Sequence, residues 1–191
     1  YLEHRGSEVL DFEYEVALKG VTLGMDEAIR IRLYINGEYV PSVSGKTQDC
    51  VNPATNEVFA KAYYGDVADA EKAVAAARKA FDEGPWGKMA ARDRSKILLK
   101  AAQIMERRAD EFATLEALEC GYHYGSARYY CVPMAVDAFN FFAGKARDIE
   151  GKVVPSDYGT LNYVTWNPVG VVAEILPWNG PYLMGCQKIN A

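Results

Sequence analysis

The best-placed chemistry in this chain belongs to an asparagine. Asn179 follows a nearly continuous apolar run, Val169-Gly170-Val171-Val172-Ala173-Glu174-Ile175-Leu176, within the punctuation Pro177-Trp178-Asn179-Gly180-Pro181. Branched apolar residues bounded by turn chemistry predict a strand buried on both faces, as in a parallel α/β sheet. Ligands of open parallel sheets bind beyond the carboxyl ends of the strands, where Asn179 falls. Its carboxamide offers two N–H donors and carries no charge to titrate. A donor aimed at an oxygen that turns negative contributes ~2.7–4 kcal/mol to transition-state stabilisation. The plainer reading is that Asn179 merely serves a turn, since Asn-Gly favours turns anyway.

Nucleophilic sulfur is the second candidate. Cys50, Cys120, Cys131 and Cys186 are scattered and form no Cys-x-x-Cys pair. With only His4 and His123 beside them, a zinc cluster is not expected. Cys186 lies nearest Asn179, about two helical turns on. A thiol becomes a useful nucleophile in an electropositive setting, and no histidine is close to Cys186 in sequence. All four read as reduced packing residues. No G-x-G-x-x-G or G-x-x-x-x-G-K-[ST] loop is present to cradle phosphates. Tyr122, Tyr124, Tyr129 and Tyr130 cluster, but Arg128 alone gives too little positive charge for a stacking surface on nucleic acid, so packing or an interface is the expectation.

The elements that must position these residues read as follows. Asn36-Gly37 between Leu33-Tyr34-Ile35 and Glu38-Tyr39-Val40 predicts a hairpin, because a type I′ turn needs positive φ at both central residues. A second hairpin surrounds Asn52-Pro53-Ala54-Thr55-Asn56. Asp66, with Asp69 three residues later, predicts a helix N-terminus, and Val67, Ala70, Val74, Ala77 and Phe81 mark its apolar face before Gly84-Pro85. A second helix runs from about Ala91 to Arg108, with Ile97, Leu98, Ala101, Ile104 and Met105 inward. Asp110 is expected to cap a third, ending at Gly121. A fourth spans roughly residues 126–149, with Pro133 in its first turn or at a kink. Val153-Val154 and Leu161 to Trp166 predict an extended pair, and Tyr182 to Asn190 a further helix.

The chain has 191 residues, 50% of them hydrophobic and 25% charged, with a net charge of -5. This is the composition of a globular protein and not of a disordered one. The acidic balance argues against nucleic-acid binding. No apolar run reaches the ~20 residues that span a bilayer, and the first residues lack signal-peptide character, so a cytoplasmic location is expected.

Asn167-Pro168-Val169-Gly170-Val171-Val172-Ala173-Glu174-Ile175-Leu176-Pro177-Trp178-Asn179 resembles the signature entering the first dinucleotide-binding strand of aldehyde dehydrogenases. Leu33 to Glu38, Val51-Asn52-Pro53-Ala54-Thr55, Pro85-Trp86, the Arg92/Arg94 helix and Gly144-Lys145-Ala146 through Gly151 are similar in order and spacing. The resemblance runs from about residue 31 to the end. It implies an α/β fold in which residues 31–151 form hairpins and helices of the cofactor-binding domain. Residues 152–167 would be an oligomerisation strand pair, and 168–191 the first strand and helix start of an incomplete Rossmann-like sheet. Residues 1–30 read as an N-terminal extension of unknown role.

The resemblance also implies the chemistry. A cysteine attacks an aldehyde, Asn179 helps hold the oxyanion, hydride passes to NAD or NADP, and a glutamate activates water to release the carboxylic acid. Ile175, Leu176, Pro177 and Trp178 would line the cofactor side, and the complete enzyme would be a homo-oligomer. The family's Gly-Gln-x-Cys-like nucleophile and Glu-Leu-Gly-Gly-like base segments do not occur here. The chain is therefore expected to be an N-terminal fragment, inactive alone. Gly180 and Gln187 depart from residues usual near the substrate tunnel, and Cys120-Gly121-Tyr122-His123 stands where a Gly-Lys pair is common. Two alternatives are a non-catalytic helical oligomerisation module and part of a coenzyme A-acylating aldehyde dehydrogenase.

Overall fold

The structure, a computed structural model, describes residues 29–191. The extension expected at the N-terminus lies, up to residue 28, outside the described residues. Seven short strands and five helices follow: β1 (Ile29–Ile31), β2 (Leu33–Ile35), β3 (Glu38–Val40), β4 (Thr47–Asn52), β5 (Glu57–Tyr63), α1 (Val67–Glu83), α2 (Ala91–Arg107), α3 (Ala109–Cys120), α4 (Val132–Lys145), β6 (Lys152–Val154), β7 (Asn162–Val164) and α5 (Pro181–Ile189). A 3-10 turn, Trp86–Lys88, separates α1 from α2, and a helical turn, Tyr124–Ser126, precedes α4.

Both predicted hairpins form. Asn36 and Gly37 adopt φ of 54° and 83°, the backbone a type I′ turn requires, and β2 pairs antiparallel with β3. β4 pairs antiparallel with β5 around the second turn, where Asn52 Oδ1 accepts from Ala54 N at 2.9 Å and Asn56 takes φ 60°. β1, which the sequence pattern did not reveal, joins β5 in parallel, so the larger sheet has the order β1-β5-β4.

Asp66 and Asp69 close a capping box on α1. Asp66 Oδ1 accepts from Ala68 N at 3.1 Å, and Asp69 Oδ2 accepts from Asp66 N at 3.2 Å, satisfying orphan donors of the first turn. Buried Asp69 also accepts from Val43 N, tying the loop after β3 to the helix. The face of α1 expected to be inward is open, with Val67 and Val74 exposed.

Three other expectations need correction. On α2 the buried residues are Ser95, Ala102 and Met105, with Leu98 half-buried, whereas Ile97 and Ile104 face solvent. Small side chains let the backbone of α2 come close to α4, whose Ala135 and Ala143 are also buried, so the helix turns its small face inward. Asp110 does not cap α3. Arg108 ends α2 and begins α3 at once, and the Asp110 carboxylate in the first turn accepts from Tyr124 Oη at 3.0 Å and Arg128 Nε at 2.5 Å. Finally, residues 169–176 form no strand. A strand exists only through hydrogen bonds to a neighbour, and among the described residues no strand lies beside this run.

Pro133 sits in the first turn of α4, directly after a π-helical turn, Ala127–Cys131. Proline has no N–H to give the carbonyl four residues back, and the wider turn absorbs that missing bond. β6 and β7 pair antiparallel as expected, with every side chain exposed. The core lies where α3, the π turn and α4 meet: Ala109, Ala113, Ala127 and Val132, with Phe112, Tyr122, Tyr124, Val136 and Tyr182 packed against them.

Candidate functional site

The C-terminal end of α3 and the start of α5 enclose the loop that carries Asn179. Gly121 ends α3 with φ 68°, a left-handed conformation that glycine adopts at no steric cost. A Cβ there would lie 2.9 Å from Pro53 Cγ, so the turn sits tightly on the β4–β5 hairpin. This reversal presents Cys120 and Tyr122 to the loop. The Cys120 thiol donates to the carbonyl of Trp178 at 3.4 Å, and the Tyr122 hydroxyl donates to the carbonyl of Asn179 at 3.1 Å. On the other side, Met184 N donates to Gly180 O, and Pro181 occupies the first turn of α5, where its missing N–H costs nothing. Tyr182 stacks on Phe112 of α3 with ring centroids 4.7 Å apart, docking α5 onto the core.

The backbone of Asn179 is thus held while its side chain is exposed. Among the described residues the Asn179 carboxamide has no hydrogen-bond partner. Asn167 and Asn190 use theirs locally, Asn167 Nδ2 donating to Thr165 Oγ1 and Asn190 Nδ2 to Cys186 O, whereas the exposed Asn140 and Asn162 share the open amide of Asn179. Turn asparagines Asn36 and Asn56 instead adopt positive φ, which Asn179 does not. Trp178 and Asn179 do lie in a turn, but the Asn179 side chain makes no hydrogen bond that shapes it.

Of the residues expected to line a cofactor, Ile175 is 88% exposed, Trp178 85%, Leu176 is exposed and Pro177 half-buried. They form an apolar ledge beside Asn179. Lys188 Nζ donates to the carbonyl of Ile175 at 3.4 Å, from α5 back to this ledge.

Beneath the loop lies an acid that sequence reading did not single out. Glu116 is 3% exposed and accepts from the backbone N–H of Tyr182, while its Oε1 has no partner among the described residues. Burial, with Glu119 adding, raises its pKa above the ordinary carboxyl value although the Tyr182 N–H pulls the other way. Burial, then Glu116, pushes Cys186 up to about 11. Burial also lifts Cys120 to about 11, with Glu116, Glu119 and Cys131 adding. Cys131 and Cys50 rise for the same first reason. All four thiols are free, and burial shifts each upward, away from the lowered pKa of an activated nucleophile. Among the described residues no cluster could hold a metal ion.

Comparison with known proteins identifies this arrangement. Residues 39–191 match the aldehyde dehydrogenase family. A putative aldehyde dehydrogenase of Bacillus subtilis, DhaS, is 42% identical over 160 residues, which is 84% of this chain and 32% of that protein. A mitochondrial benzaldehyde dehydrogenase of Antirrhinum majus is 44% identical over 159 residues, 83% of this chain and 30% of that protein. Among solved structures, the NAD+ complex of a Bacillus cereus aldehyde dehydrogenase aligns with a TM-score of 0.82 at 37% identity, covering 87% of this chain and 33% of that one. An indole-3-acetaldehyde dehydrogenase of P. syringae in complex with NAD+ and IAA aligns with a TM-score of 0.84 at 32% identity, covering 95% and 35%. The chain belongs to the aldehyde dehydrogenase family, a family of oxidoreductases, and spans about a third of the length of these relatives. Its mixed helix-and-strand fold with small sheets matches the corresponding third of these enzymes.

Proposed function

We propose that this chain supplies the oxyanion donor and one wall of the cofactor site of an NAD(P)-dependent aldehyde dehydrogenase that oxidises an aldehyde to a carboxylic acid. One observation carries the reading: Asn179 has an immobilised backbone and an uncommitted, solvent-facing amide. When a cysteine sulfur adds to the aldehyde carbon, the carbonyl oxygen gains the negative charge. The Asn179 N–H donors, carried on a held backbone, can turn to that charge, which is where a positioned donor lowers a barrier. Ile175, Leu176, Pro177 and Trp178 offer an apolar ledge that fits the flat rings of a dinucleotide and gives the phosphates nothing. Bound NAD(P) supplies the hydride acceptor. Water completes the balance, leaving acid, reduced cofactor and a proton.

None of the four thiols of this chain is the nucleophile, since burial shifts each upward. The 191 residues by themselves are therefore read as inactive toward aldehydes. Residues 31–151 are read as the hairpins and helices of the cofactor domain, 152–167 as a strand pair used in homo-oligomers, and 168–191 as the entry to the dinucleotide-binding sheet. The open edges of β6 and β7 and the exposed Val153, Tyr163 and Trp166 support the second of these. Four free thiols support a reducing, cytoplasmic setting. Among the described residues no helix is long and apolar enough to cross a membrane.

The test is reduction of NAD+ or NADP+ by the complete enzyme carrying this segment, against aliphatic and aromatic aldehydes, with the acid product identified. Formation of NAD(P)H and acid is expected, and the isolated chain should give neither above blank. Acid formation only as a thioester in the presence of coenzyme A would redirect the reading to the acylating branch. Turnover by the isolated chain would overturn the assignment of its thiols.

A further inference from the structure

The two carbonyls that receive side-chain donors near Asn179 belong to consecutive peptide planes. The Trp178 carbonyl lies in the plane before the Asn179 Cα, and the Asn179 carbonyl in the plane after it. Cys120 holds the first at 3.4 Å and Tyr122 holds the second at 3.1 Å. With both planes fixed, φ and ψ at Asn179 are fixed, and so is the direction of its Cα–Cβ bond. The stronger of the two donors is the Tyr122 hydroxyl, because a thiol is a weak donor.

Tyr122 is well built for such a task. It follows the left-handed Gly121, whose Cβ position is closed off by Pro53, so the turn has little room to shift. Its ring packs against the cluster of Ala109, Ala113, Ala127 and Val132. The hydroxyl then reaches a residue 57 positions away in sequence. Below, Glu116 accepts from Tyr182 N–H, and its Oε1 lies 4.0 Å from where a Cβ on Gly180 would be, so the residue after Asn179 is backed by the same helix.

We propose that Tyr122 is a positioning residue whose hydroxyl, acting through the carbonyl of Asn179, aims the Asn179 amide at the developing oxyanion. The proposal rests on the role assigned to Asn179 above. Tyr122 touches neither substrate nor cofactor in this scheme; it acts only through Asn179.

The experiment is a double-mutant cycle in the complete enzyme carrying this segment, read as the first-turnover rate of NAD(P)H formation. Tyr122→Phe keeps the ring that packs on the core and removes only the hydroxyl. It should slow the first turnover ~3–10-fold, the worth of one ordinary hydrogen bond. In an Asn179→Ala background the same change should slow it no further. Tyr124→Phe, which removes a hydroxyl bonded to Asp110 in the first turn of α3, should leave the rate unchanged. Equal slowing by Tyr122→Phe in both backgrounds, or no slowing beside a slow Asn179→Ala, overturns the positioning role and leaves Asn179 its function. An Asn179→Ala enzyme as fast as the parent overturns the role of Asn179, and this inference with it.

Discussion

The helical platform and the loop it carries are built from similar apolar residues yet meet solvent in opposite ways. In the platform Ala113 and Ala127 are fully buried, and Met105, Leu118 and Val132 nearly so. In residues 169–178 Val169 is 94% exposed, and Val172, Ile175 and Trp178 are open too. The helices satisfy their own backbone and need only a neighbour to pack on. The extended run needs a neighbour for its backbone as well as its side chains. The run is held where side chains reach its carbonyls: Lys188 at Ile175, and Cys120 and Tyr122 of the platform at Trp178 and Asn179. In this protein order flows from helix to loop, and the catalytic proposal depends on that direction.

Substitutions on the two sides of this contrast should behave differently, and urea denaturation of the chain measures the difference. Ala113→Leu adds bulk where no room exists and should cost ~1–3 kcal/mol. Little or no loss would mean that the platform is looser than its burial indicates. Asp66→Ala removes the cap of α1 and should cost ~1 kcal/mol, sharpening the claim that the helices carry their own end chemistry.

Glu116→Gln gives a pH-dependent effect whose sign follows from burial. Because folding raises the Glu116 pKa, the folded state holds its proton to higher pH than the unfolded state does. Stability should therefore fall as pH rises from the ordinary carboxyl value through the raised one, and Glu116→Gln should remove that fall. An unchanged pH profile would show that the acid is not buried against the loop. Val169→Thr, on the open run, should shift stability by no more than ~0.5 kcal/mol. A loss as large as that of Ala113→Leu would show that the run is packed.

What was legible in the sequence was local. Asn36-Gly37 announces its turn because so few residues tolerate positive φ, and Asp66 with Asp69 announces a helix start because both carboxylates bond to nearby N–H groups. Asp110 lacks the acid three residues on that marks Asp66, and Arg128 and Tyr124 claim its carboxylate from 18 and 14 residues away. On α2, Met105 is buried as expected and Leu98 and Ala101 are half-buried, but Ile97 and Ile104 are exposed while Ser95 and Ala102 take the buried places. Hydrophobicity alone cannot rank a large apolar face against a small one that packs closer. Asn179 was singled out by its resemblance to a family signature, since its surroundings alone favour a turn. Its supports, Cys120 and Tyr122, lie 58 and 57 residues from the carbonyls they hold, and no local pattern marks them.

The most direct measurement is the first-turnover rate of aldehyde-dependent NAD(P)H formation by the complete enzyme, parent against Asn179→Ala. Loss of a preorganised oxyanion donor should slow that step by ~10²–10³. A rate equal to the parent's would show that the exposed amide at residue 179 does not meet the developing charge.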